Sequence, residues 1–221
     1  MRILLCRIIT LAVLIFVGSD GHLLADEHAA PSMPFGPALA KLKSGNARFV
    51  AAADSSAKPT QARRAETAKS QHPFAIIVGC SDSRTPPEII FDQNIGDLFV
   101  VRAAGEVVDS YGLGSIEYAV EHLGARLIVV LGHERCGAVA AAVAGDSAPG
   151  HVGNIVRTIR PAVEAVRNQP GDQLTNAIKS NVDRVTEKIR QKAELGSLAS
   201  SVRVVEAYYD LDTGKVEWLT R

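Results

Sequence analysis

Two stretches of the chain share one design: a continuous apolar run, a single glycine, then a residue able to hold a metal. They read Ile77-Val78-Gly79-Cys80-Ser81-Asp82-Ser83-Arg84 and Val130-Leu131-Gly132-His133-Glu134-Arg135-Cys136-Gly137. An apolar run without polar alternation, as over 74–79 and 127–131, predicts a strand buried on both faces, and such strands belong to parallel sheets covered by helices. A third run of this kind spans 98–101. Helical spacing over 38–53, 113–123, 152–168 and 174–195 supplies the covering layers, with Gly124 closing the second helix and Pro170-Gly171 turning between the last two. A final strand, 202–209, turns at Asp212-Thr213-Gly214 and returns through 216–219 as a hairpin. Strand and helix alternation of this kind predicts an α/β fold with helices on both faces of a parallel sheet.

Composition narrows the function by exclusion. The 221 residues carry 24 basic and 24 acidic side chains, a balance that lacks the net positive charge of a nucleic-acid binder. Apolar residues make up 47% of the chain, enough for a core of ordinary size and too many for global disorder. Three cysteines, Cys6, Cys80 and Cys136, do not form a disulfide framework. Residues 1–25 combine Arg2 and Arg7, an apolar stretch and a small-residue end at Ala25, the pattern of a secretory signal peptide. The apolar stretch is shorter than the ~20 residues of a membrane span, so no stable insertion is expected after cleavage; an uncleaved membrane anchor is the alternative. The expected organisation is signal peptide 1–25, flexible segment 26–35 and one domain over 36–221, in the periplasm or secreted.

Ligands of open α/β sheets bind beyond the carboxyl ends of the strands, so the two glycine-marked loops can meet at one point. Cys80 and Asp82 are two positions apart; His133 and Cys136 are three apart, at the start of a helix. Two thiolates and an imidazole, with Asp82 available as a fourth ligand, form a soft set suited to zinc and not to magnesium or calcium. Two plainer readings stay open on residues alone: Cys80 and His133 as ordinary packed residues, and a Cys80–Cys136 disulfide in an oxidising compartment. A phosphatase loop is excluded, because the arginine it needs six positions after the cysteine is Pro86 here, while Arg84 lies four on.

Cys80-Ser81-Asp82-Ser83-Arg84 with His133-x-x-Cys136-Gly137 resembles the zinc signature of the β-class carbonic anhydrases. The likeness continues through Glu88-Ile89-Ile90-Phe91-Asp92, Gly96-Asp97-Leu98-Phe99-Val100-Val101-Arg102, Gly114-Ser115-Ile116-Glu117-Tyr118-Ala119-Val120 and Tyr209-Asp210-x-x-Thr213-Gly214, about residues 36–219 in all. The resemblance implies a four-stranded, mainly parallel sheet with an added edge strand, assembled as homodimers or multiples of dimers. It implies reversible hydration of CO2 to bicarbonate and a proton, with one Zn2+ per subunit lowering the pKa of a water from 15.7 toward ~7. Cys80, His133 and Cys136 would be permanent ligands, while Asp82 either ligates zinc or turns away to Arg84, gating the fourth position. Gln71 would hydrogen-bond substrate; Phe99, Ala104 and Tyr118 would line an apolar CO2 pocket, partly from the neighbouring subunit; Gly137 would offer its N–H to bicarbonate.

The likeness also has gaps. The segment Arg102-Ala103-Ala104-Gly105-Glu106 lacks the asparagines that many members carry there, so hydrogen bonding near the pocket is expected to differ. Ile77 stands where one subset has the tryptophan of an inhibitory bicarbonate site. His72, His122 and His151 are candidates for proton export, and the Arg157, Arg160, Arg167 set reads as a solvated helix face. Two other functions share the frame: a non-catalytic zinc-stabilised binding module, and a zinc hydrolase acting on a CO2-like molecule such as carbon disulfide.

Overall fold

The computed structural model describes residues 32–55, 60–145 and 148–219. The expected signal peptide, 1–25, and most of the expected flexible segment lie outside these residues. The five strands are β1 (Ala75–Cys80), β2 (Leu98–Ala103), β3 (Leu127–His133), β4 (Arg203–Tyr209) and β5 (Val216–Leu219). They form one sheet in the order β2-β1-β3-β4-β5, parallel except for the antiparallel β4–β5 hairpin at the edge. The α/β fold with a four-stranded parallel sheet and an added edge strand is thus as expected.

Every residue of β1 and β3 is buried, as their unbroken apolar sequences require. Alternate side chains serve opposite layers. Ile76, Val78, Ile128 and Val130 pack under α4 (Ser110–Glu121) and α7 (Gln173–Lys192), while Ile77, Val129 and Leu131 pack under α1 (Phe35–Val50) and α3 (Pro87–Ile90). Each such side chain contributes about 1.5–3 kcal/mol when withdrawn from water. α2 (Gln61–Thr67), α5 (Gly137–Ala144) and α6 (Gly150–Ala165) complete the helices among the described residues.

The helices begin and end earlier than their apolar spacing suggests. α1 starts at Phe35 because Pro34 serves as N-cap and Pro37 falls in the first turn, where a missing N–H costs nothing. α7 ends at Lys192, not 195, and α6 at Ala165, not 168. α2 and α3 have no counterpart in the sequence reading, being too short for a helical period to show. Gly124, at φ +75°, does turn the chain after α4, although the last helical residue lies before it. At Gly132 a Cβ would stand 2.5 Å from Cγ2 of Val182, so only glycine lets α7 approach β3 this closely. No helix among the described residues is long and apolar enough to cross a membrane.

Candidate metal centre

Gly79 pairs with Leu131 across the parallel β1–β3 ladder, so both glycine-marked loops leave the sheet at the same end. Cys80 and His133 are the final residues of their strands, and Cys136 caps the N-terminus of α5. The donor atoms of Cys80, His133 and Cys136 lie within 4.8 Å of one another, and all three residues are buried. Both cysteines are free thiols, so the disulfide left open above is not formed.

The donors fit a thiophilic cation. His133 Nδ1 lies 2.9 Å from the carbonyl oxygen of Glu134. A carbonyl only accepts, so Nδ1 carries the proton and Nε2 keeps a lone pair. That Nε2 is buried and has no hydrogen-bond partner, a costly arrangement that a metal would relieve. A hydrogen bond from Cys136, and a further one from the Gly105 N–H at 3.2 Å, pull the Cys80 thiol well below its ordinary value despite burial. The same thiol–thiolate bond, followed by burial, pushes Cys136 up. One sulfur ionises readily and the second resists until a cation is present to hold both. Cys80, His133 and Cys136 are therefore a zinc-type set, two soft sulfurs and an imidazole.

Asp82 stands beside this trio, turned to Arg84. Arg84 donates from Nε to Asp82 Oδ1 at 2.9 Å and from Nη2 to Oδ2 at 2.7 Å, and its backbone N–H also reaches Oδ1 at 2.9 Å. These bonds hold the Asp82 carboxyl well below the usual carboxylate range. Asp82 Oδ2 remains 3.9 Å from His133 Nε2. The Arg84 side chain is 50% exposed while Asp82 is only 18% exposed, so solvent screens the arginine's end of the pair more than the carboxylate's.

The remaining predicted residues are more dispersed. Gly137, first residue of α5, is exposed, and a Cβ there would meet nothing within 4 Å. Ala104 opens a 3-10 turn, Ala104–Glu106, directly after β2. Phe99 and Tyr118 sit with ring centroids 6.3 Å apart on β2 and α4, and Tyr118 is 47% exposed. Gln71 is exposed in the segment leading to β1. No described bond joins Gln71, Phe99 or Tyr118 to the metal trio within one chain. A cleft of about 700 Å³ runs along the open edge of β2, past Phe99, Arg102, Ala103, Tyr111, Asn154 and Lys188. It reaches Ala103, the register partner of Cys80. A separate groove of about 680 Å³, by Phe49, Ile89 and Ile95, contains none of the predicted residues. His72, His122 and His151 are all exposed; His122 stacks on Tyr118 at 5.3 Å.

Several supporting residues escaped the sequence reading. Arg102 donates to the carbonyls of Cys80 (2.8 Å) and Asp82 (2.6 Å), fixing the first loop from β2. Arg135, at φ +52°, makes a two-pronged bond to Asp212 at 2.9 and 2.6 Å, tying the second loop to the β4–β5 turn. Glu106 and Asn181 bond to each other in the interior. A lone acid between apolar neighbours in Ala104-Gly105-Glu106-Val107-Val108 was the one local signal available.

Comparison with known proteins agrees with this geometry. A family model described as "Carbonic anhydrase" matches residues 75–216. The carbonic anhydrase of Mycolicibacterium smegmatis is 39% identical over 183 residues, covering 80% of this chain and 89% of its own. Carbonic anhydrase 2 of Mycobacterium tuberculosis is 41% identical over 181 residues, covering 79% and 87%. Among solved structures, the β-carbonic anhydrase CafA of Aspergillus fumigatus matches with a TM-score of 0.66 and 28% identity, covering 84% of this chain and 90% of that one. A tetrameric β-carbonic anhydrase of Sordaria macrospora also gives 0.66, at 25% identity, covering 71% and 85%.

Proposed function

The chain belongs to the β-class carbonic anhydrase family and hydrates CO2, and on that premise we propose that it works with one zinc ion per subunit, gated by the Asp82–Arg84 pair. The observation that carries the zinc assignment is the buried Cys80–His133–Cys136 trio with its unpartnered His133 Nε2. Zinc bound there supplies a water acidified from pKa 15.7 to about 7, hence a hydroxide nucleophile at neutral pH.

The protein's own groups do the rest. Paired with Arg84, as the structure shows it, Asp82 would leave room beside the trio for a water and offer an oxygen to accept its hydrogen bond. Turned inward, the same carboxylate would ligate the ion in place of that water and close the site. Gly137, exposed at the N-terminus of α5, would offer its N–H to the bicarbonate anion as it forms. Gln71, Phe99, Ala104 and Tyr118 act on the substrate side, some from a second subunit. Support for a dimer, or a multiple of dimers, comes from β2: an edge strand whose Leu98, Phe99, Val100 and Val101 are apolar yet only half-buried invites a partner. We place the enzyme in the periplasm or outside the cell, on the signal-peptide pattern of residues 1–25.

The test is stopped-flow CO2 hydration over pH about 6 to 9, with zinc measured on the same sample. Turnover that scales with zinc content is expected. Zinc-loaded protein without turnover anywhere in that range would overturn the catalytic reading.

A further inference from the structure

The turn after β2 is built from two successive residues in the left-handed region, Gly105 at φ +67° and Glu106 at φ +42°. Glycine suits the first, where φ is positive and a Cβ would also press on Cδ1 of Ile159 at 2.6 Å. At the second, an ordinary side chain is held in a conformation it rarely adopts, so something must hold it. Asn181 of α7 does so. Its amide nitrogen donates one hydrogen to the Gly105 carbonyl at 2.9 Å and the other to Glu106 Oε1 at 2.7 Å, gripping the backbone and the side chain of the turn together.

Both partners are buried, with Glu106 only 1% and Asn181 3% exposed, and the second carboxyl oxygen, Oε2, has no partner at all. A carboxyl in such a place is expensive, and packing alone would be served better by an apolar residue of similar size. What the turn delivers is on its other side: the Gly105 N–H, 3.2 Å from the sulfur of Cys80. An N–H bond to a ligand sulfur fixes its orientation and draws charge from it, which sets how strongly it binds a metal.

We infer that Asn181 and Glu106 are positioning residues for the metal centre, locking the 104–106 turn so that the Gly105 N–H is aimed at Cys80. The inference rests on the metal reading above and adds to it an outer layer that reaches the site from α7, 101 positions after Cys80. Neither residue touches substrate; both act through Gly105.

The test uses the full-length protein loaded with zinc, and separately with cobalt, whose sulfur-to-metal charge-transfer absorption reports the state of the thiolates. Asn181→Leu removes both donated bonds, and Glu106→Ala removes the acceptor. Each is expected to lower zinc affinity about tenfold or more, measured by chelator competition, and to shift the cobalt–thiolate band. Glu106→Gln keeps an oxygen to accept from Asn181 and is expected to restore wild-type affinity and spectrum. The double variant is expected to lose no more than the worse single one, since the pair acts as a unit. Folded variants with wild-type affinity and an unshifted band overturn the inference, as does a Glu106→Gln protein as impaired as Glu106→Ala. If Asn181→Leu does not fold, the contrast between the two Glu106 variants decides alone. Wild-type protein that takes up neither metal would instead defeat the metal reading itself.

Discussion

The two glycine-marked loops begin alike and are held in opposite ways. The loop after β3 is clamped from outside: Glu134 N–H bonds to Tyr209 O at 2.9 Å, Glu134 Oε2 accepts from Leu211 N–H at 3.1 Å, and Arg135 grips Asp212. It carries two of the three candidate metal ligands, three residues apart, with Arg135 between them at φ +52°. The loop after β1 is anchored through its backbone by Arg102, but its functional side chains mostly hold each other, in the Asp82–Arg84 pair. One loop is tied down by residues far along the chain, whereas the carboxylate of the other is held by its own arginine. On the function proposed above, a site that keeps its metal while opening and closing would need both kinds.

The contrast can be broken at its strongest point first. Cys136→Ser removes a ligand from the clamped loop and is expected to abolish zinc retention and CO2 hydration together, read by metal analysis and stopped-flow. If the two properties separate, the trio is not the centre of the chemistry. Asp82→Asn touches only the turning side chain. It should keep zinc at wild-type stoichiometry yet lose on the order of 10²-fold in kcat; full activity in that variant would remove Asp82 from the mechanism.

The clamp itself should give the smallest effect. Asp212→Ala is expected to speed zinc release a few-fold and lower the thermal midpoint slightly at neutral pH. Arg135 holds the Asp212 carboxyl below its ordinary range, so its contribution is fully present above about pH 3.9 and is lost as pH falls through the depressed folded value. The difference between variant and wild type should therefore close in acid. A difference that persists there would mean Asp212 acts through something other than its charge.

What was legible in the sequence follows from range. β1 and β3 were plain because burial on both faces leaves no polar residue to confuse the pattern, and their ligands fall within a few residues of the strand ends. β2 read as only 98–101 because Arg102 interrupts the apolar run, although the strand continues to Ala103 precisely where that arginine braces the site. Arg135–Asp212 and Glu106–Asn181 join residues more than seventy positions apart, and no local spacing encodes such pairs. Phe99 and Tyr118 were found by likeness to the family, and within one chain they adjoin each other rather than the metal trio.

Gly132, the residue of β3 just before His133, bears on how this enzyme can change over generations or in a directed-evolution library. With Val182 occupying the space a methyl group would need, residue 132 has no viable neighbour in sequence space while α7 stays where it is. A larger residue there would displace the helix that also carries Asn181. Diversity is therefore better directed to the exposed positions of α6, such as Arg157 and Arg160, which lie away from Gly132 and from the residues assigned to the site.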